Sequence, residues 1–242
     1  MNRFALFAFS AVLVAGTAFA GGNADLDIDK VNGSIHVPDN ATVGKLSTVN
    51  GSIHVGDGAH AAGATTVNGS IHLGTNATID ALDTVNGGIH VGAGTKIAKT
   101  IEAVNGSITL ATGADVGGKV SNVNGGIALT AAHVGGGIET TSGDIDVGAN
   151  SRVEGGILVN QDNSWFHFGV SRDPRVVIGP HAVVQGNLVF KRAVQLYVSD
   201  SATVGKIDGA KAIAFSGDNL TAIASTPGCT ANTTVAGQTA TC

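Results

Sequence analysis

Apolar residues return every six positions through the first half of the chain. Val31, Val37, Val43, Val49, Val55, Ala61, Val67, Leu73, Ile79, Val85, Val91 and Ile97 are aliphatic at every step, and eleven of the twelve are Val, Leu or Ile. Those three types supply 57 of the 242 residues, so random placement puts them at about three of the twelve points. Two apolar residues two positions apart, such as Ile35 and Val37, face the same side of a strand. The pattern therefore predicts short strands with inward pairs, and it places the hexad positions in the core.

Three hexads make a longer unit. Val31-Asn32-Gly33-Ser34-Ile35-His36-Val37 returns as Val49 to Val55, Val67 to Leu73 and Val85 to Val91. It is looser at Val104 to Leu110 and Val123 to Leu129, with a last echo at Thr141 to Val147. The repeat of 18 or 19 residues predicts a three-sided parallel β-helix, an all-β solenoid with about 18 residues per coil and coils roughly 4.8 Å apart. Residues 25 to 216 leave room for about ten coils. Helices are excluded because Gly and β-branched residues dominate and no 3.6-residue period appears. The Asn-Gly pairs are expected at corners, where both residues tolerate positive φ. Stacking Asn32, Asn50, Asn68, Asn86, Asn105 and Asn124 lets their amides hydrogen-bond along the axis.

The rest of the chain divides around this array. Residues 1–20 read as a secretory signal peptide: Arg3, an apolar run from Phe4 to Thr17, then Ala18-Phe19-Ala20 as the small-x-small cleavage signal. The run is short for a membrane span and no second one follows, so no transmembrane segment is expected in the mature chain. Residues 21–159 carry the regular repeats, and residues 160–175 lack an apolar period and read as a loop. A second solenoid section spans 176–216, and 217–242 forms a Thr/Ala-rich tail or cap. The first mature strand, Asp25-Leu26-Asp27-Ile28-Asp29, carries charge that discourages edge-to-edge pairing.

Composition sharpens the picture. The 36 glycines with few aromatics suit thin coils with room only for small side chains, and charge is too sparse for a disordered chain. The formal charge of −5 disfavours nucleic acid as a partner. In an exported chain Cys229 and Cys242 form an even pair. An intramolecular disulfide pinning the tail is expected, with intermolecular pairing as the alternative.

The V-N-G-S-I-H-V coils resemble the adhesin-type β-solenoid repeats of bacterial envelope proteins. Arg152 to Ile157 and Ile178 to Leu188 are similar to coils of bactofilins, the polymer-forming bacterial scaffold proteins. The resemblance to bactofilins implies right-handed coils, whereas the strict hexads are those of left-handed β-helices; it also implies no catalytic centre and a structural, adhesin-like or filament-forming role. Bactofilins are cytoplasmic and polymerise through open ends, whereas a signal peptide, an acidic first strand and a disulfide tail depart from that pattern.

Candidate chemistry is confined to two places. His36, His54, His72 and His90 recur at a spacing of 18, one residue after an inward Ile, so they face outward about 5 Å apart. Such a row can bind Zn²⁺ or Cu²⁺, or it is a surface residue copied with the repeat. The row continues as Thr109, Ala128 and Asp146. Protonation near pH 6 makes it self-repelling. The loop carries Trp165, Phe166 and Phe168 close to Arg172 and Arg175, a pairing of rings and guanidinium groups that suits sugars or anionic polymers. Burial of those rings against the solenoid wall is the competing reading. No G-x-S-x-G elbow, H-E-x-x-H motif or phosphate-cradling loop is present. The expectation is an exported, periplasmic or extracellular, non-catalytic protein that meets a cell-envelope polymer, another protein or its own copies. A metal-binding protein using the histidine row and a bactofilin-like filament former are the alternatives.

Overall fold

The computed structural model describes residues 26–161 and 172–216. Every strand pairing among them is parallel, and pairing joins each coil to the next. Strands Ile35–Val37, Ile53–Val55, Ile71–Leu73, Ile89–Val91, Ile108–Leu110, Ile127–Leu129, Ile145–Val147, Arg175–Ile178, Gln195–Ser199 and Ala212–Phe215 form one 10-stranded sheet. The remaining segments form a 17-stranded sheet that wraps the other part of each coil. A middle coil carries three segments, for example Ile89–Val91, Lys96–Ile97 and Ile101–Asn105. The chain is thus an all-β parallel solenoid of about ten turns. No helix among the described residues is long and apolar enough to cross a membrane.

The core consists of columns in register. Ile35, Ile53, Ile71, Ile89, Ile108, Ile127, Ile145, Val176 and Leu196 stack in one, all buried. Val37, Val55, Leu73, Val91, Leu110, Leu129, Val147 and Ile178 stack beside them. Like packs on like because every coil presents the same position, so each inward side chain needs to fit only its copies above and below.

One part of the hexad expectation is corrected. The points 31, 49, 67 and 85 are not core: Val31 is 56% exposed, and Val49, Val67 and Val85 are half-buried on the outer wall, as Val104 in the next repeat is 40% exposed. The inward pair on this side is Leu46 with Thr48, Ala64 with Thr66, and Leu82 with Thr84. A polar residue wins the inward place because it has a partner there. The hydroxyls of Thr48, Thr66 and Thr84 donate to the carbonyls of Gly33, Gly51 and Gly69 in the preceding coil, at 3.2, 2.9 and 3.1 Å. A buried hydroxyl with a partner is tolerated in a core.

The Asn-Gly corners meet the expectation in part. Their asparagines are not in the left-handed region, but the glycine takes positive φ at Gly33, Gly87 and Gly125. Positive φ also recurs at the corner after the Ile-His-Val strands, at Asn40, Gly58, Asn76, Gly94, Gly113, Ala131, Asn150 and His181. The Asn-Gly glycines are needed for close approach: a Cβ on Gly51, Gly69 or Gly106 would strike the carbonyl of the corner glycine one coil before. The asparagines themselves form the expected amide ladder. Asn50 Nδ2 donates to Asn32 Oδ1, Asn68 to Asn50, and Asn86 to Asn68, each at 3.0 Å. Asn105 and Asn124 continue the same direction at 3.1 and 2.9 Å.

The stack runs unbroken past residues 160–175. Ile145 pairs with Val176, Val153 with Val184, and Ile157 with Leu188. This one coil step spans 31 residues instead of 18 or 19, and the surplus leaves between Val159 and Arg175.

Candidate functional site

Each Ile-His-Val strand buries its outer two residues and turns the middle one outward. The pairing register places His36 against His54, His54 against His72 and His72 against His90. The four imidazoles stack with centroids 4.8, 4.9 and 4.7 Å apart and planes 6°, 4° and 16° from parallel. At its far end His90 Nδ1 sits 2.9 Å from Thr109 Oγ1. His90 Nε2 lies close over Gly88, where a Cβ would meet it at 3.1 Å. In the three coils before, the residue in the Gly88 position is Ser34, Ser52 or Ser70. Their Oγ atoms accept the backbone N–H of Ser52, Ser70 and Gly88, at 3.2, 3.3 and 3.2 Å.

The wall is electrostatically simple. Asp39 and Asp57 stand at the corner after the first two histidine strands, where they accept the N–H of Asp57 and Thr75. Lys30 Nζ donates to Ser34 O at the opposite corner. Partial burial, then the charges of His90 and His54, hold the His72 imidazole below its ordinary value. Further along the column Asp146 is pushed above the usual carboxylate range by burial, against the opposing pull of Arg175.

The expected metal chemistry does not follow from this arrangement. Lone pairs of imidazole nitrogens lie in the ring plane, so four nearly parallel rings aim them side by side and not at a shared point. A metal at about 2.0–2.1 Å from two nitrogens requires them to converge. Among the described residues, no group of three or more His, Cys, Asp or Glu is placed to hold a metal ion.

The loop candidates are partly placed. Trp165, Phe166 and Phe168 lie outside the described residues, as do Cys229, Cys242 and the whole of 1–20. Arg172 reaches back to the wall, where its Nη2 donates to Asp144 Oδ2 at 2.7 Å. The backbone N–H of Arg175 donates to Asp144 Oδ1 at 2.8 Å. Arg192 Nη1 donates to Thr141 O and Ser142 Oγ, both at 3.2 Å. These guanidinium groups tie the insertion and the next coil onto the Asp144 corner.

Two charged groupings on the wide sheet were not singled out from the sequence. Asp115, His133 and Arg152 share one column. His133 Nδ1 lies 2.6 Å from Asp115 Oδ1, its Nε2 3.5 Å from Glu154 Oε1, and Arg152 Nε donates to that oxygen at 3.3 Å. On another side Glu139 takes hydrogen bonds from Lys119 at 2.7 Å and Asn160 at 2.6 Å. Burial raises the Glu139 carboxyl, but these bonds outweigh it and hold the group below the usual range. Spacings of 18 to 21, the same arithmetic that found the histidines, connect all of these residues.

Compared with known proteins, the chain matches no family model, no curated protein and no solved structure.

Proposed function

We propose that this chain is an exported, non-catalytic solenoid of the bacterial cell envelope, with a structural or adhesin-like role, whose flat walls meet an envelope polymer or protein. The observation that carries it is the wall itself. Coil after coil repeats one outward side chain in register, as in the histidine row, and so presents a periodic surface suited to an extended partner. Support also comes from the leader-like first twenty residues and from the resemblance of the coils to envelope adhesin and bactofilin repeats. Extended solenoid surfaces are used for binding in other repeat architectures.

The test is fractionation of the native host with N-terminal sequencing of the recovered protein. The expected result is a protein in the periplasmic or surface fraction beginning at Gly21. Recovery from the cytoplasm with Met1 intact would overturn the proposal.

A further inference from the structure

The histidine wall has a periodicity that points to a class of ligand. Along the axis it repeats two outward groups per coil: an imidazole at 36, 54, 72 and 90, and a hydroxyl at 34, 52 and 70. Each of those Ser Oγ atoms already accepts an N–H from the next coil, so its own hydrogen is left to donate outward. A protonated imidazole donates through both nitrogens. With its imidazoles protonated the wall is two parallel lines of donors, one of them cationic, extending roughly 14 Å over three coil rises.

Four like charges at this spacing repel one another and favour whatever anion can lie along all of them. A single small anion reaches one or two rungs. A linear polymer with one carboxylate per sugar ring presents more than one carboxylate along this length and engages separate rungs together, with effective concentration helping each later contact. We propose that the row His36, His54, His72 and His90, flanked by Ser34, Ser52 and Ser70, is a docking surface for a linear polyuronate that engages when the imidazoles are protonated. This deepens the envelope proposal, on which it rests for where such a polymer is met. The facing charges are few: Asp39 and Asp57 beside the first two rungs oppose binding there, and Lys30 adds a cation at the far corner. Thr109 and Ala128, the next two positions in the column, are uncharged, so the expected footprint is the four histidine coils. Burial first, and then the charges of His90 and His54, disfavour the charged form of His72, so an anion lying along the row has both to offset.

The test is binding of the full chain to immobilised polygalacturonate in low salt, by interferometry, at about pH 5 and about pH 7.5. Binding about tenfold or more tighter at the lower pH is expected. The fourfold His→Gln variant should lose that gain while keeping the circular dichroism spectrum of the parent. The fourfold His→Arg variant should bind at both pH values. Equal affinity of the parent at the two pH values, or a His→Gln variant that retains the gain, would overturn the proposal. So would binding of inorganic polyphosphate without polygalacturonate, or Zn²⁺ uptake lost in His→Gln with no polymer binding at either pH. These outcomes are independent of fractionation: a cytoplasmic protein that still binds polyuronate through the row sinks the envelope reading alone.

Discussion

Exchanging the roles of two neighbouring residues gives a sharp test of how the wide sheet faces. Thr66 is fully buried and its hydroxyl donates to Gly51 O at 2.9 Å, while Val67 is half-buried on the outer wall. Thr66→Val keeps the shape, adds a buried methyl, and removes the donor from the Gly51 carbonyl in a corner that the next coil covers. Leaving such a group unpaired costs about 1–3 kcal/mol, and the extra methyl returns about 0.8 kcal/mol. A net loss of up to about 2 kcal/mol lowers the Tm of a chain this size by up to about 8 °C. Val67→Thr, on the wall, should stay within about 0.5 kcal/mol of the parent. Thermal unfolding followed by circular dichroism compares the two directly. If Val67→Thr proves the more damaging, the hexad phase is the true core and the inward threonine column is wrong.

Ile71, with no exposed surface in the middle of its column, should lose about 2–5 kcal/mol on substitution by Ala, read as a fall in the urea midpoint; a change below about 1 kcal/mol would refute the stacked-column core. Gly69→Ala drives its Cβ into the Gly51 carbonyl, so the chain should lose parallel-sheet signal or soluble yield, whereas Gly63→Ala, with its nearest neighbour at 3.6 Å, should not. Asp83 is raised to about 6, first by burial and then by Glu102. Its folded value lies above the ordinary 3.8, so the stability it contributes is complete below that ordinary value and is lost as pH rises through about 6. Asp83→Asn should therefore stabilise the chain near pH 7.5 and lose its advantage in acid; an advantage that grows on acidification would contradict this sign.

The repeat length and the alignment of the histidines were legible because both depend only on counting. Residues 18 apart in a stack of 18-residue coils must share a column whatever the cross-section. The phase of the segments around Leu46 and Thr48 was not legible, because hydropathy ranks Val49 above Thr48 and hydrogen bonding reverses the order. Only the Gly33 carbonyl, brought across the corner by the fold, makes Thr48 the better core residue. The Asn-Gly motif was assigned to the right place for part of the reason. Gly33, Gly87 and Gly125 do take positive φ, but the glycines answer also to a carbonyl in the coil before, and further positive φ falls at the other corner, where Pro38-Asp39-Asn40 and Gly56-Asp57-Gly58 show no obvious kinship. The links from Asp144 to Arg172 and to the Arg175 backbone depend on a surplus of residues in one coil, which breaks the counting rule that exposed the rest.

That longer coil bears on how the chain acquires its structure. A solenoid grows by closing one loop per turn, and equal turns carry nearly equal loop-closure entropy. Between Ile145 and Val176 the loop is 31 residues instead of 18, which adds only about 0.5 kcal/mol on the logarithmic scaling. Growth from either end therefore meets its one shallow barrier there. The seam falls between two stretches that can each nucleate on repeated local contacts. A surplus of this size is thermodynamically mild at a corner, so the same position can accept longer segments while the register on both sides survives.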